Sequence, residues 1–157
     1  MSSTTDNARK IIVTQALPYA NASLHLGHIL EAVQTDIWSR FQNKSGNECL
    51  FFCADDTHGT PVMLKAKELS KSPEDLIKEV QRDHEETYKL YDINFTNYHT
   101  THSDENKKYS EKIYLKAKEN NLITRRSINQ LYDEAESMFL SDNKIDKIDD
   151  VQLVFIN

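Results

Sequence analysis

Apolar residues along the chain recur with two periods, and the alternation places the elements. Lys10–Gln15 (KIIVTQ) is a short β-branched run, read as a buried strand. Ala16–Ser23 holds Pro18, Asn21 and Ser23 and reads as a loop. Leu26, Ile29, Leu30, Val33, Ile37 and Phe41 then recur at three- and four-residue spacing, which predicts a helix with one apolar face. Asn43–Asn47, with Gly46, ends it, and Glu48–Ala54 (ECLFFCA) is a second run of strand length. Strand, loop, helix, strand is a βαβ unit with a parallel pair. Met63–Leu69 reads as a short helix. Ser72-Pro73-Glu74-Asp75 is a helix start: a Ser cap, Pro in the first turn, acids near the positive end. That helix carries Leu76, Ile77, Val80, His84, Thr87 and Tyr91 along one side. Asn97–Thr101 is expected to be a strand, Ser103 to cap a helix over Asp104–Asn120, and Leu122–Ser127 to be a further strand.

Composition sharpens this picture. The 157 residues suffice for one domain with a sizeable core, and only 3 Gly and 3 Pro favour long helices with few tight turns. The net charge of −6 argues against a nucleic-acid module built on a basic face, but not against ATP, which a helix N-terminus can hold. Cys49 and Cys53 are too few for a disulfide framework or a four-thiolate zinc site. On one strand they lie about 13 Å apart, beyond bridging reach, so buried thiols in a reducing compartment are expected. No apolar run is long enough for a membrane span, Met1–Lys10 lacks the apolar core of a signal peptide, and the cytoplasm is the default. Residues 1–9 read as a frayed, disordered tail. Residues 143–157 read as an atypical tail, with Val151–Asn157 as an edge strand or an exposed, aggregation-prone end.

The chemistry concentrates in residues 16–28, ALPYANASLHLGH. His25 and His28 are three apart and share a helical face. Gly27 between them allows close approach to the backbone. Unpaired N–H groups and the helix dipole favour an anion there, and the dipole favours neutral imidazoles that donate N–H bonds to a phosphate. Two helix histidines of no special role, or a metal pair with no third ligand nearby in sequence, are the other readings. Asp55–Pro61 (DDTHGTP) follows the second strand, where ligands bind in open α/β sheets; turn-forming acids are the plain alternative for Asp55 and Asp56.

His25-Leu26-Gly27-His28 resembles the HIGH signature of class I aminoacyl-tRNA synthetases, a motif that related nucleotidylyltransferases share. The surrounding blocks resemble methionyl-tRNA synthetases: Ala16-Leu17-Pro18-Tyr19-Ala20-Asn21 before it, Cys53-Ala54-Asp55-Asp56-Thr57-His58-Gly59-Thr60-Pro61, and Asn97-Tyr98-His99-Thr100-Thr101-His102-Ser103. Gln130-Leu131-Tyr132-Asp133 and Met138-Phe139-Leu140 also fit. The whole segment Pro18, Tyr19, Ala20, Asn21, Ala22, Ser23, Leu24, His25, Leu26, Gly27, His28 stands as the signature.

The resemblance implies an α/β fold, the first half of a Rossmann-like class I synthetase catalytic domain over residues 10–142. It implies methionine–tRNA ligase chemistry: methionine attacks Mg-ATP to give methionyl-adenylate, and tRNA(Met) then takes the acyl group. His25 and His28 would be the catalytic contacts to the ATP phosphates, with Gly27 leaving room for the adenosine. Ala16, Leu17, Tyr19 and Asp56 would form the methionine site, Asp56 pairing with the ammonium and Asp55 supporting it. His99 and His102 would structure a loop. Three departures stand out. Ala22 occupies a position where the family prefers glycine, a strain if φ is positive there. No cysteine follows Cys53, so the family's zinc site is not expected. The second half-fold, the KMSKS loop and the anticodon domain have no match, and Lys67-Glu68-Leu69-Ser70-Lys71-Ser72 is a helix end rather than that loop. The Lys108, Lys112 and Lys116 stripe reads as a solvated face. A truncated ligase is therefore expected. A non-catalytic remnant or split-enzyme half binding methionine or ATP weakly is the alternative, and a standalone HxGH nucleotidylyltransferase the second.

Overall fold

A computed structural model describes residues 8–125, 132–133 and 138–139. The chain divides into two compact units, Met1–Glu111 and Lys112–Asn157.

In the first unit a parallel sheet of order β1-β2-β3 is built from β1 (Lys10–Thr14), β2 (Glu48–Asp55) and β3 (Asn97–Thr100). Lys10 pairs with Glu48 through to Thr14 with Phe52, and Phe52 pairs with Asn97 through to Asp55 with Thr100. All three strands therefore end at one rim, the C-terminal side that the parallel crossovers predict. Helices α1 (Leu26–Lys44), α2 (Thr60–Glu68) and α3 (Pro73–Leu90) fill the crossovers, and α4 (Asp104–Glu119) follows β3. Ser72 caps α3 by accepting from the Asp75 N–H at 3.1 Å, and Ser103 caps α4 by accepting from Asn106 at 3.2 Å.

β2 is the central strand, and its alternation shows which face is covered. Cys49, Phe51, Cys53 and Asp55 are buried, whereas Leu50, Phe52, Ala54 and Asp56 are half-buried. Phe51 packs with Ile29 and Ala32 of α1 and with Tyr88 and Ile93, flanked by Val13, Phe95 and Tyr98. A second cluster joins Ala20 to Val62 and Ala66 of α2 and Leu76, Ile77 and Val80 of α3.

Several expectations need correction. β1 is an edge strand, not a buried one, and Ile12 on it is 70% exposed. The apolar stripe of α1 does not turn to the sheet. Ile29 is buried and Val33 half-buried, but Leu26, Leu30, Ile37 and Phe41 are exposed. The buried line is Ile29, Ala32, Asp36, Ser39 and Gln42. Its small side chains let the helix lie close on β2. Asp36 is tolerated there because Arg40 Nε lies 2.8 Å away and the Asn94 N–H donates to it at 3.1 Å. On α3, Tyr88 is buried instead of Tyr91, because the helix stops at Leu90 and the stripe continues four residues on from His84. Arg9 is not part of a loose tail: its N–H donates to Asn47 Oδ1 and its carbonyl accepts from Glu48.

In the second unit, β4 (Tyr132–Asp133) pairs antiparallel with β5 (Met138–Phe139), Tyr132 opposite Phe139. Leu122–Arg125 form no strand; residues 126–127, most of the tail 1–9, the remainder of the later sequence blocks and residues 143–157 lie outside the described residues. No helix among the described residues is long and apolar enough to cross a membrane.

Candidate functional site

The loop after β1 is sewn to the end of β2 by its backbone. Tyr19 and Asp56 form a parallel bridge: the Ala20 N–H donates to the Asp56 carbonyl at 2.8 Å, and the Asp56 N–H to the Pro18 carbonyl at 2.9 Å. Pro18 and Ala20 are buried by this pairing. Tyr19 packs against the Ala20 cluster, and its hydroxyl donates to the His58 carbonyl. Burial, and then the Asp56 charge, raise the Tyr19 pKa above its ordinary value of 10.0, so the phenol remains a donor. Gly59 turns at φ +114, where a Cβ would stand 2.5 Å from that hydroxyl. Gly59→Ala is therefore expected to destabilise the chain by about 1–3 kcal/mol, read by urea unfolding. A loss under roughly 0.5 kcal/mol would show that the Tyr19 loop gives way.

The two histidines are not simply one helical face. His25 is the N-cap of α1 and His28 the third helical residue, joined as a reciprocal capping box. His25 Nδ1 accepts from the Gly27 N–H at 3.0 Å and the His28 N–H at 3.4 Å, and His28 Nδ1 accepts from the His25 N–H at 3.4 Å. The rings stack with centroids 3.6 Å apart. Two backbone donors expected for an anion are thus occupied. The neutral rings instead carry their protons on Nε2, and neither Nε2 has a partner among the described residues. Burial, then the proximity of His25 and His84, push the His28 pKa below 6.5 against the pull of Glu31, and this ring stays neutral. Gly27 is required by the cap itself: a Cβ there would lie 2.8 Å from the His25 ring. No third metal-ligating side chain joins the pair among the described residues.

Asp55 and Asp56 part company at the strand end. Asp56 is half-buried with its backbone in the Tyr19 bridge, whereas Asp55 points inward at 0% exposure. Asp55 Oδ1 lies 2.6 Å from His84 Nδ1 and also accepts from the Tyr98 hydroxyl. His84 Nε2 is 2.8 Å from the Ala22 carbonyl. Ala22 is not among the residues with positive φ outside glycine, Ser70, Asp92 and Asn121, so the alanine carries no left-handed strain.

The remaining residues named from sequence are dispersed. Ala16 donates its N–H to Glu31 Oε1 at 2.8 Å. Leu17 lines a cleft of about 360 Å³ with Thr14, Phe52, Ala54 and His99, and neither Tyr19 nor Asp56 borders it. Asn21, Ala22 and Ser23 border a different cleft, against α2 and α3. Leu24 is half-buried on the Phe51 cluster, and Leu26 is 80% exposed. His99, on β3, lies 3.7 Å from Glu105, and the His102 ring tilts against His58. Both thiols are free and buried, and burial pushes Cys53 up to about 12. Lys67–Ser72 is the end of α2 and a turn, with Ser70 at φ 53. Sequence reasoning missed Gln15, whose buried Nε2–H donates to the Tyr88 hydroxyl at 3.1 Å, and Tyr98 on Asp55, and named His84 only as part of a stripe. Its signal was a titratable residue four positions from Val80 on an otherwise apolar line.

The model of the family described as tRNA synthetases class I (M) matches residues 11–148. The chain belongs to the class I tRNA synthetase (M) family. Two curated members, methionine–tRNA ligases of Leptospira biflexa serovar Patoc, strains Patoc 1 / Ames and Patoc 1 / ATCC 23582 / Paris, are each 58% identical to it over 138 residues, 88% of this chain. The chain spans 20% of their length. Solved structures show the class I synthetase catalytic fold. Mycobacterium tuberculosis methionyl-tRNA synthetase in complex with methionyl-adenylate superposes with a TM-score of 0.75 at 20% identity, over 87% of this chain and 27% of that one. The Agrobacterium radiobacter K84 LeuRS–tRNA–LeuAMS ternary complex gives 0.75 at 20% identity, over 91% and 19%. The three-stranded parallel sheet is thus part of a class I synthetase catalytic fold.

Proposed function

We propose that residues 10–142 form the N-terminal half of the catalytic domain of a methionine–tRNA ligase and hold methionine and ATP for adenylate formation. The observation that carries this reading is the Tyr19–Asp56 bridge. It fixes the signature loop and a half-buried carboxylate together at the C-terminal rim of a parallel sheet, where open α/β folds bind ligands. Asp56 accepts the ammonium of methionine beside Tyr19, with Ala16 and Leu17 just ahead of Tyr19 on the same loop. The methionine carboxylate attacks the α-phosphorus of Mg-ATP, a P–O bond forms, and the bond to pyrophosphate breaks. Charge grows on the phosphate oxygens, and the Nε2–H groups of His25 and His28 donate to them, while Gly27 keeps the loop open to the adenosine. The protein's share is positioning and charge stabilisation. The 3′-terminal ribose of tRNA(Met) then takes the acyl group from the adenylate.

The test is methionine-dependent exchange of pyrophosphate into ATP. It is run with the purified chain alone and with the rest of the Leptospira biflexa relative supplied separately. A stable sulfamoyl analogue of methionyl-adenylate is titrated calorimetrically alongside. Saturable binding that methionine competes for is expected. Asp56→Ala should weaken it at least about 30-fold, as truncating one partner of a charge pair does. Exchange that ignores methionine points instead to nucleotidylyl transfer onto another acceptor. No binding and no exchange in either format leaves a non-catalytic remnant.

A further inference from the structure

His84 sits at 0% exposure where α3, β2, β3 and the signature loop meet. A carbonyl oxygen only accepts, so the contact of Nε2 with the Ala22 carbonyl at 2.8 Å places a proton on Nε2. Nδ1 faces Asp55 Oδ1 at 2.6 Å, and that oxygen also takes the Tyr98 hydroxyl. Both ring nitrogens then donate, and the ring is an imidazolium against a buried carboxylate. Asp55 Oδ2 has no partner among the described residues, so the carboxylate depends on these two donors. The groups that face His84 are Asp55 from β2, Tyr98 from β3, Asp83 on its own helix and His28 from α1. The backbone bridge holds the loop at Pro18 and Ala20; the His84 bond holds it two residues further on, just ahead of the His25 cap.

We propose that His84 is a positioning residue, a buried imidazolium strap that fixes the loop at Ala22 against Asp55. It thereby sets the placement of Tyr19 and Asp56 and the entry angle of His25. The consequence for substrate rests on the proposed adenylate-forming site; the strap itself does not.

Two arms separate these layers, both on the full chain. Glutamine places its amide nitrogen near Nε2, and asparagine near Nδ1. His84→Gln therefore keeps the Ala22 bond, and His84→Asn keeps the Asp55 bond. The first arm is amide hydrogen exchange. His84→Asn should speed exchange at Ala20, Asp56 and His28 by about tenfold or more relative to Phe51 in the core of β2. His84→Gln should speed it much less. The second arm is affinity for the sulfamoyl analogue of methionyl-adenylate. His84→Asn should weaken it about tenfold at neutral pH, with partial rescue by His84→Gln. Wild-type affinity should fall at alkaline pH as the ring loses its second proton, a titration absent from His84→Gln. Tyr98→Phe removes one donor from Asp55 but leaves the ring, and a severalfold effect in the same direction is expected even if a His84 variant does not fold. Loop protection unchanged relative to Phe51, or lost evenly across sheet and loop, overturns the strap. A loosened loop in a chain that never binds the analogue keeps the strap and overturns the substrate reading alone.

Discussion

His25→Asn is expected to slow methionine-dependent pyrophosphate exchange by about 10²–10³-fold, the usual cost of one transition-state donor, with little change in thermal midpoint. The substitution separates two jobs of one ring. His25 caps α1 through Nδ1, accepting from Gly27 and His28. Asparagine is among the best N-caps, so the helix start survives. What disappears is the Nε2–H beyond the cap, the group assigned to phosphate. His28→Ala is a harsher change, because it also removes the acceptor for the His25 N–H and the stacked face of the neighbouring ring. Its exchange rate should fall at least as far, and its midpoint should fall too. Wild-type exchange rates in His25→Asn would reduce that histidine to a helix cap.

The division between these two histidines shows where sequence reasoning reaches its limit. The βαβ order, with its parallel pair, and the helix start at Ser72 were legible because each depends on local periodicity or local capping chemistry. The signature loop was legible as a motif. The capping box was not, because an imidazole as an N-cap lies outside the usual Ser, Thr, Asp and Asn set. The rotation of α1 was also hidden. A stripe of large apolar residues argues for burial, yet Ala32 and Ser39 allow a closer approach to β2, and close packing of small residues competes with the burial of large ones. Asp55 and Asp56 are adjacent in sequence, and only the strand phase divides them. Asp55 follows Cys49, Phe51 and Cys53 inward, and that phase was readable once β2 was known to be covered on one face. His84 could not be paired with Asp55 from sequence, because the contact spans 29 positions and joins different elements.

Asp55→Ala should cost about 3–5 kcal/mol, the range for removing one partner of a buried ion pair, because it leaves the His84 ring and the Tyr98 hydroxyl without their acceptor. The pH dependence identifies the ring. Burial alone would lower the His84 pKa, but the hydrogen bond to Asp55, the Ala22 carbonyl and the charges of Asp55 and Asp83 outweigh it, and the net shift is upward from 6.5. A raised pKa means the folded chain binds this proton more tightly than the unfolded chain. Its contribution is therefore complete below pH 6.5 and is lost as pH rises through the folded value. His28 has the opposite sign, and its effect falls below pH 6.5, where a lowered pKa penalises the fold. Cys53, raised to about 12, acts only above the ordinary thiol value of 9.0. The interval from about pH 6.5 to 8.5 thus isolates His84. Within it, urea-unfolding free energies should fall as pH rises from 6.5 toward the folded pKa of His84, with a limiting slope of about 1.4 kcal/mol per pH unit. Asp55→Asn preserves the side-chain shape but not the charge, so the slope should flatten while the chain remains folded. An equal slope in wild type and Asp55→Asn would mean that the proton lost in this range is not held by the His84–Asp55 pair.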